Sequence, residues 1–190
     1  MKVLRETIVS TARELFRSKG YSGASMNDLA DAVGLKKSSL YVRFPNKEAL
    51  VPAVLDLTLH ETFGDRDRGS RQWDAEFVEV IELIATTLTD RGRCVGLHLA
   101  YGTSDETPIA KDAVRAFFQA HRDYLASILS RAMPADVARN IATDTLARLE
   151  GATAFVAIFG EKDAMKRAVR FSIEEAKSAA AATSLSRGSS

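Results

Sequence analysis

Cationic and hydroxyl-bearing side chains are concentrated between residues 36 and 47, where they could bind phosphate and read nucleotide bases. Lysine and arginine attract phosphate through their charge, and serine and tyrosine hydroxyls form hydrogen bonds with phosphate oxygens or base edges. The first fifty residues carry nine Lys and Arg against five Asp and Glu, whereas residues 51–190 carry seventeen against twenty. This asymmetry predicts that a polyanion binds the N-terminal part of the chain. The candidate contacts are Ser25, Lys36, Lys37, Ser38, Ser39, Tyr41, Val42, Arg43 and Lys47.

Three residues just before and within this segment have the spacing of a helix-turn-helix. Ala30 is small enough for two helix backbones to approach, Gly34 suits the turn, and Leu40 supplies an apolar plug from the second helix. The motif places a short recognition helix over about residues 36–44. Double-stranded DNA is therefore the expected polyanion.

The predicted recognition helix has one side that faces the core and one that faces away. At about 100° per residue, Leu40 and Phe44 share the core side. We expect the outward residues Ser38, Ser39 and Val42 to face base edges, where readout is sparse because valine offers only apolar contact. The residues expected mainly at phosphate are Lys37, Tyr41 and Arg43, with Lys37 or Arg43 as candidates for a guanine contact.

Two further contacts are expected at helix starts. Lys47 is predicted to open the fourth helix, where its ammonium and the unpaired backbone amides could hold one phosphate together. Ser25 is predicted to cap the second helix, with a phosphate contact as the alternative role.

Helical periodicity runs through the chain, and no segment predicts a strand. Gly20 is the predicted end of the first helix, and Pro52 predicts a kink or a late start in the fourth. The sequence thus predicts an all-α fold of about nine helices. After the first, they are placed at about residues 25–34, 36–44, 47–63, 74–89, 94–101, 109–132, 135–159 and 163–181.

The segment Gly34–Leu50 resembles the signature of the tetracycline-repressor (TetR) family, in which a Leu-Tyr-x-x-Phe run precedes Asn-Lys-Glu-x-Leu. The resemblance is specific over Thr7–Leu50 and generic beyond it. It implies a homodimeric transcription regulator that binds palindromic operator half-sites and a small-molecule effector. It also implies that Tyr41 and Lys47 contact the DNA backbone. Lys36 and Val42 depart from residues common in the family, which leaves the operator sequence open.

The expected organisation has three parts and a bridging helix. Residues 1–50 form the helix-turn-helix DNA-binding domain, and the helix 47–63 bridges to the next module. Residues 64–182 form a helical domain for ligand binding and dimerisation. The Ser-, Arg- and Gly-rich tail 183–190 is expected to be disordered.

Aromatic and imidazole side chains in the second module suggest an apolar effector pocket with a few polar groups, although each is also compatible with ordinary core packing. The candidates are His98, Tyr101, Phe117, His121 and Phe155. An effector bound there is expected to shift the fourth helix and weaken DNA binding.

The last two helices are the candidates for a twofold interface, with monomer core as the competing interpretation. The resemblance implies that they form the four-helix bundle of the dimer. The predicted interface residues are Val137, Ile141, Leu149, Ala152, Val156 and Phe171.

No pattern of residues predicts catalysis, a metal site or a cofactor. The three histidines are scattered, and Cys94 is the only cysteine, so it is either a buried structural thiol or a redox sensor beside Arg91 and Arg93. No segment has the composition of a signal peptide or membrane span, so we expect a cytoplasmic protein. The competing hypothesis is a helical enzyme or ligand carrier whose N-terminal helices only pack.

Overall fold

The structure is a computed structural model that describes residues 4–64 and 71–188, and within these ranges it has nine helices and no strand. The all-α prediction is confirmed. None of these helices combines the length and the apolar character that a membrane crossing requires. The helices are α1 (Arg5–Gly23), α2 (Met26–Ala32), α3 (Lys37–Arg43), α4 (Leu50–Phe63), α5 (Trp73–Arg91), α6 (Val95–Gly102), α7 (Pro108–Leu129), α8 (Ala135–Phe159) and α9 (Lys162–Gly188).

The contacts divide the chain into two compact units that are discontinuous in sequence. The first unit combines the described parts of residues 1–64 with 94–118, and the second combines those of 65–93 with 119–190. The predicted second domain began at residue 64 and included α6, whereas α6 and the first part of α7 pack in the first unit. The cause is a close approach of α6 to α1: a Cβ atom on Gly102 would lie 2.7 Å from the Cβ of Tyr21.

Helix α1 continues three residues past the glycine at which it was predicted to end. Gly20 has φ 69° and ψ 179°, a conformation that glycine adopts and other residues avoid, and the chain resumes its helical turn afterwards. The resulting kink lets the ring of Tyr21 stack on Phe16, with centroids 6.0 Å apart.

Helix α4 begins at Leu50, later than the predicted start at Lys47. The side chain of Asn46 accepts a hydrogen bond from the amide of Ala49 at 2.8 Å, and the Leu50 amide donates to the carbonyl of Lys47 at 3.2 Å. These bonds form a turn before the helix proper. Pro52 is the third residue of α4, where its missing amide costs no helical hydrogen bond, so the expected late start is confirmed.

In the second unit, α5 and α8 both pack against α9, and α5 also packs against α8. Arg131 pairs with the buried Glu76 at 2.9 Å, and Arg148 of α8 pairs with Glu175 of α9 at 2.5 Å. The pairing of Arg148 with Glu175 raises the pKa of the guanidinium above its usual value.

The predicted disordered tail is helical as far as the structure describes it. Helix α9 extends to Gly188, and residues 189–190 lie outside the described ranges. Alanines 179–182 have the highest helix propensity, and the hydroxyl of Thr183 donates back to the carbonyl of Ala179 at 2.9 Å. The prediction gave too much weight to the serines and too little to the alanine run before them.

Candidate nucleic-acid interface

Helices α2 and α3 form the predicted helix-turn-helix. Gly34 occupies the turn with φ 67°, and the amide of Leu35 donates to the carbonyl of Ala30 at 2.9 Å. Ala30 and Leu40 are both fully buried. The small residue and the apolar plug therefore occupy the positions that the spacing predicted, and they pack α2 and α3 together.

The outward side of α3 is an exposed and mostly polar surface, which we call the α3 ridge. Leu40 and Phe44 are buried, as predicted, and they fix the orientation of the helix. Val42 is 86 % exposed, and Tyr41 projects about half of its ring. The ridge consists of the exposed residues Lys36, Lys37, Ser38, Ser39, Tyr41, Val42 and Arg43.

Ser25 caps α2, and its role at phosphate stays a prediction. Its hydroxyl accepts a hydrogen bond from the amide of Asp28 at 3.1 Å, and the residue is exposed beside the helix-turn-helix. Lys19 donates to the Asp28 carboxylate at 2.9 Å. This bond, together with hydrogen bonds that the same carboxylate receives from the side chain and the backbone of Ser25, lowers the pKa of Asp28 below its usual value.

Lys47 does not open a helix, and its ammonium is engaged inside the protein. The ammonium donates to the carbonyl of Tyr21 at 2.6 Å and lies 4.3 Å from the centre of that ring. Burial lowers the pKa of Lys47, and burial and then the charge of Glu48 raise the pKa of Tyr21. The predicted start of α4 at Lys47 is wrong, because α4 begins three residues later, and the contact of Lys47 with phosphate stays a prediction.

Two arginines that the sequence analysis did not select are buried in α1. Arg13 pairs with Glu61 of α4 at 2.5 Å, and Arg17 pairs with Glu14 of its own helix. Both arginines follow Val9 at four-residue intervals, so they lie on a stripe that is otherwise apolar. A charge on such a stripe is the signal that could have identified them. The Arg13 pair joins α1 to α4.

The five predicted effector residues are divided between the two units. His98, Tyr101 and Phe117 lie in the first unit, and His121 and Phe155 lie in the second. Phe117 and His121 are buried, and His98 is half-buried.

Tyr101 and Phe155 do not have the interior positions that the prediction required. Tyr101 is 84 % exposed because it lies about 200° around α6 from the buried Leu99. Phe155 projects about half of its side chain and packs against Phe159 of the same helix, with ring centroids 5.9 Å apart.

A groove of about 720 Å³ lies within the second unit, between α5 and α9. Met165, Val169 and Ile173 supply apolar surface, and charged residues of both signs line it as well. None of the five predicted effector residues contributes to it, and the position of an effector stays a prediction.

Half of the predicted interface residues belong to the core of the second unit. Leu149 is 0 % exposed, and Ile141 and Ala152 are also buried, because α8 packs these residues against its neighbours within the unit. Val137 and Val156 are half-buried. Phe155, Ile158 and Phe159 of α8 and Phe171 of α9 are large apolar residues that reach the surface, and we call these four together the α8–α9 apolar face.

Cys94 is buried and caps α6, since its sulfur accepts a hydrogen bond from the amide of Leu97 at 3.4 Å. This position favours the structural interpretation of the thiol over a redox sensor. Within residues 4–64 and 71–188, no group of three His, Cys, Asp or Glu side chains is placed to hold a metal ion.

The family model described as "Bacterial regulatory proteins, tetR family" matches residues 8–54, which include most of α1, all of α2 and α3 and the start of α4. The HTH-type transcriptional repressor BdcR of Escherichia coli (strain K12) is 27% identical over 132 residues, covering 68% of this chain and 67% of that protein. The HTH-type transcriptional repressor ComR of the same organism is 44% identical over 52 residues, but these are only 27% of this chain and 25% of that protein.

Solved structures share the fold over nearly the whole chain. A TetR transcriptional regulator from Legionella pneumophila superimposes with a TM-score of 0.82 at 19% identity, covering 92% of this chain and 97% of that one. A TetR transcriptional regulator from Chloroflexus aurantiacus gives 0.75 at 24% identity, with 90% and 92% covered. At these identities the structural likeness establishes the fold alone, and the match to the family model covers only residues 8–54.

Proposed function

We propose that the chain is a member of the TetR family of bacterial regulatory proteins and acts as a DNA-binding transcription regulator, not as an enzyme. Specifically, it is a repressor that a small-molecule effector releases from its operator. The α3 ridge is the observation that supports this proposal, since buried Leu40 and Phe44 turn two lysines, an arginine and two serines outward together. A regulator of this kind acts on the chromosome, so its location is the cytoplasm.

In the proposed complex, α3 enters the major groove. Ser38, Ser39 and Val42 face base edges, and the cationic residues Lys36, Lys37 and Arg43 lie near the two phosphate backbones. Few of these side chains discriminate strongly between bases. Specificity then depends partly on the shape of the operator and on binding two half-sites at once.

A second copy of the chain supplies the second ridge. Half-sites read by such pairs are separated by about 34–36 Å or a multiple of this distance. The α8–α9 apolar face supports dimerisation through these helices, because an exposed group of large apolar side chains on neighbouring helices marks an interaction surface. The interface proposed on the structure therefore retains Phe171 and replaces Ile141, Leu149 and Ala152 with Phe155, Ile158 and Phe159.

The effector is proposed to be a small, largely apolar molecule that binds between helices and is oriented by a few polar groups. Its affinity must differ between the DNA-binding conformation and the released one, because only a differential affinity shifts the equilibrium. Phe117 of the first unit and His121 of the second are buried, and each on its own remains a candidate for a contact.

The salt dependence of DNA binding tests the function. The protein is titrated with a duplex from the upstream region of its own gene between 50 and 200 mM salt. Affinity should fall steeply, and Lys37→Ala should lower the slope of log affinity against log salt by about one. Lys177→Ala, which removes an exposed lysine from α9, is the matched control and should leave the slope unchanged.

Lys47→Met provides a contrast, since the structure places its ammonium on the carbonyl of Tyr21. This variant should lower stability. A slope near that of the unmodified protein would assign Lys47 to the fold alone, and a slope lowered by about one would support its predicted phosphate contact. Absence of duplex affinity at 50 mM salt would contradict the proposal and favour a helical enzyme or ligand carrier.

A further inference from the structure

The loop between α3 and α4, residues 45–49, is bonded to α7 through Glu48. The Oε1 atom of Glu48 accepts a hydrogen bond from the backbone amide of Ala110 at 3.1 Å. Sixty-two residues separate the two partners in sequence. The loop that follows the α3 ridge is thus attached to the beginning of a helix far along the chain.

In the first turn of α7, the carboxylate of Glu48 is the acceptor for the backbone amide of Ala110. Pro108, the first residue of the helix, has no amide, and the amide of Lys111 already donates to the carbonyl of Thr107 at 2.9 Å. Ala110 is 0 % exposed, so an external acceptor for its amide has to come from the protein. A buried amide left without an acceptor would cost about 1–3 kcal/mol. The negative charge of Glu48 is also favourable at this end of a helix.

The neighbouring residue attaches the same loop to α1. Lys47 donates to the carbonyl of Tyr21, and Tyr21 is in turn packed against Gly102 at the end of α6. Consecutive side chains therefore bond the loop to α1 and to α7. The end of α3 cannot move far without breaking one of these bonds or moving the helix that holds it.

On the basis of the DNA-binding function proposed above, we propose that Glu48 is a positioning residue that couples the first turn of α7 to the orientation of the α3 ridge. Helix α7 is continuous from Pro108 to Leu129, and its residues after Phe118 belong to the second unit. A displacement of α7 pulls the carboxylate, the loop and the end of α3 with it. Coupling of this kind is reciprocal. The free energy by which the bond from Ala110 to Glu48 favours DNA binding equals the free energy by which bound DNA stabilises that bond.

Hydrogen exchange at the first turn of α7, with and without DNA, tests the coupling in the full chain. The ligand is the duplex from the upstream region of the gene, at a concentration that saturates each variant. In the unmodified protein, bound DNA should slow exchange of the Ala110 amide by about fivefold or more. In Glu48→Ala this slowing should disappear even though DNA is bound.

Two further variants separate the hydrogen-bond acceptor from the charge. Glu48→Gln keeps an acceptor of the same length and should retain the slowing. Glu48→Asp keeps the charge on a side chain that is one methylene shorter, and it should behave like Glu48→Ala. If Glu48→Ala does not fold, these two variants test the coupling between α7 and the α3 ridge in its place. Glu106→Ala removes an exposed carboxylate just before α7 and should behave like the unmodified protein.

The proposal is overturned if DNA is bound and exchange at Ala110 does not change, or if Glu48→Ala retains the full slowing. It is also overturned if Glu48→Asp retains the slowing and Glu48→Gln loses it. Failure of the unmodified protein to bind any duplex is a different result, because it contradicts the DNA-binding function on which the coupling rests.

Discussion

Ser25 caps α2, and its predicted contact with phosphate can be tested separately from that role. Its hydroxyl already accepts the amide of Asp28, so removing it must expose an unpaired helix amide. Ser25→Ala should lower the free energy of unfolding by about 1 kcal/mol, and Ser25→Gly by a few tenths. Urea unfolding measures both. If Ser25→Gly weakens duplex binding while leaving stability nearly intact, the hydroxyl also contacts phosphate; unchanged affinity assigns it to the cap alone.

The carboxylate of Asp28 gives the same helix end a pH dependence. Hydrogen bonds from Lys19 and Ser25 lower its pKa below the usual 3.8. The stabilisation is therefore present above pH 3.8 and is lost as the pH falls through the lowered folded-state pKa. Asp28→Asn should be less stable than the unmodified protein at pH 6, and this difference should shrink below pH 3.8. Urea midpoints at pH 6 and at low pH provide the comparison, and a constant difference would contradict the assignment.

At the scale of elements, the Arg13–Glu61 pair joins α1 to α4. Arg13 is buried and Glu61 is half-exposed, so the two residues are not equivalent. Glu61→Gln leaves a buried guanidinium whose remaining carboxylate, Glu14, lies 3.7 Å away, and it should destabilise by about 1–3 kcal/mol. Because solvent screens the exposed partner, the lower part of this range is expected.

A double-mutant cycle with Arg13→Met isolates the pair from its surroundings. With methionine at position 13, Glu61→Gln should cost little, since no buried charge is left behind. Equal costs in the two backgrounds would mean that Glu61 acts through other contacts.

Local patterns predicted the helices and the α3 ridge because helical periodicity and glycine turns act over a few residues. Leu40 and Phe44 identify the buried side of α3 from spacing alone. The partner of Lys47 could not be found in this way, since the carbonyl of Tyr21 lies 26 residues earlier and carries no side-chain signal. The contact of Glu48 with Ala110 could not be predicted either, because nearly every residue has a backbone amide and the sequence does not mark which one is used.

The side of α8 that is buried also could not be predicted from the sequence. Apolar residues surround much of this helix, so periodicity does not separate the side that faces the core from the side that faces a partner. Leu149 and Ile158 have the same chemistry, yet one is buried and the other is 70 % exposed. Only the packing of α5 and α9 against α8 distinguishes them.

At the scale of the whole molecule, the proposed dimer depends on the α8–α9 apolar face. Ile158→Glu should convert a dimer into monomers, because it places a charge in the centre of an interface that must exclude water. The fold should survive, since the side chain is mostly exposed. Sedimentation or light scattering measures the mass, and DNA affinity should fall with it. Tyr101→Glu, an equally exposed position in the first unit, should leave the mass unchanged.

The left-handed turn at Gly20 has a consequence for genetics. Nothing lies within 4 Å of where a Cβ would stand, so alanine fits there, but it would have to hold a backbone shape almost confined to glycine. Such strain costs about 1–3 kcal/mol, a large fraction of the stability of an ordinary domain. A cell carrying Gly20→Ala would keep a working protein when cool and lose it on warming. That single codon is therefore a rational place to make a heat-sensitive allele with which to identify the genes under control.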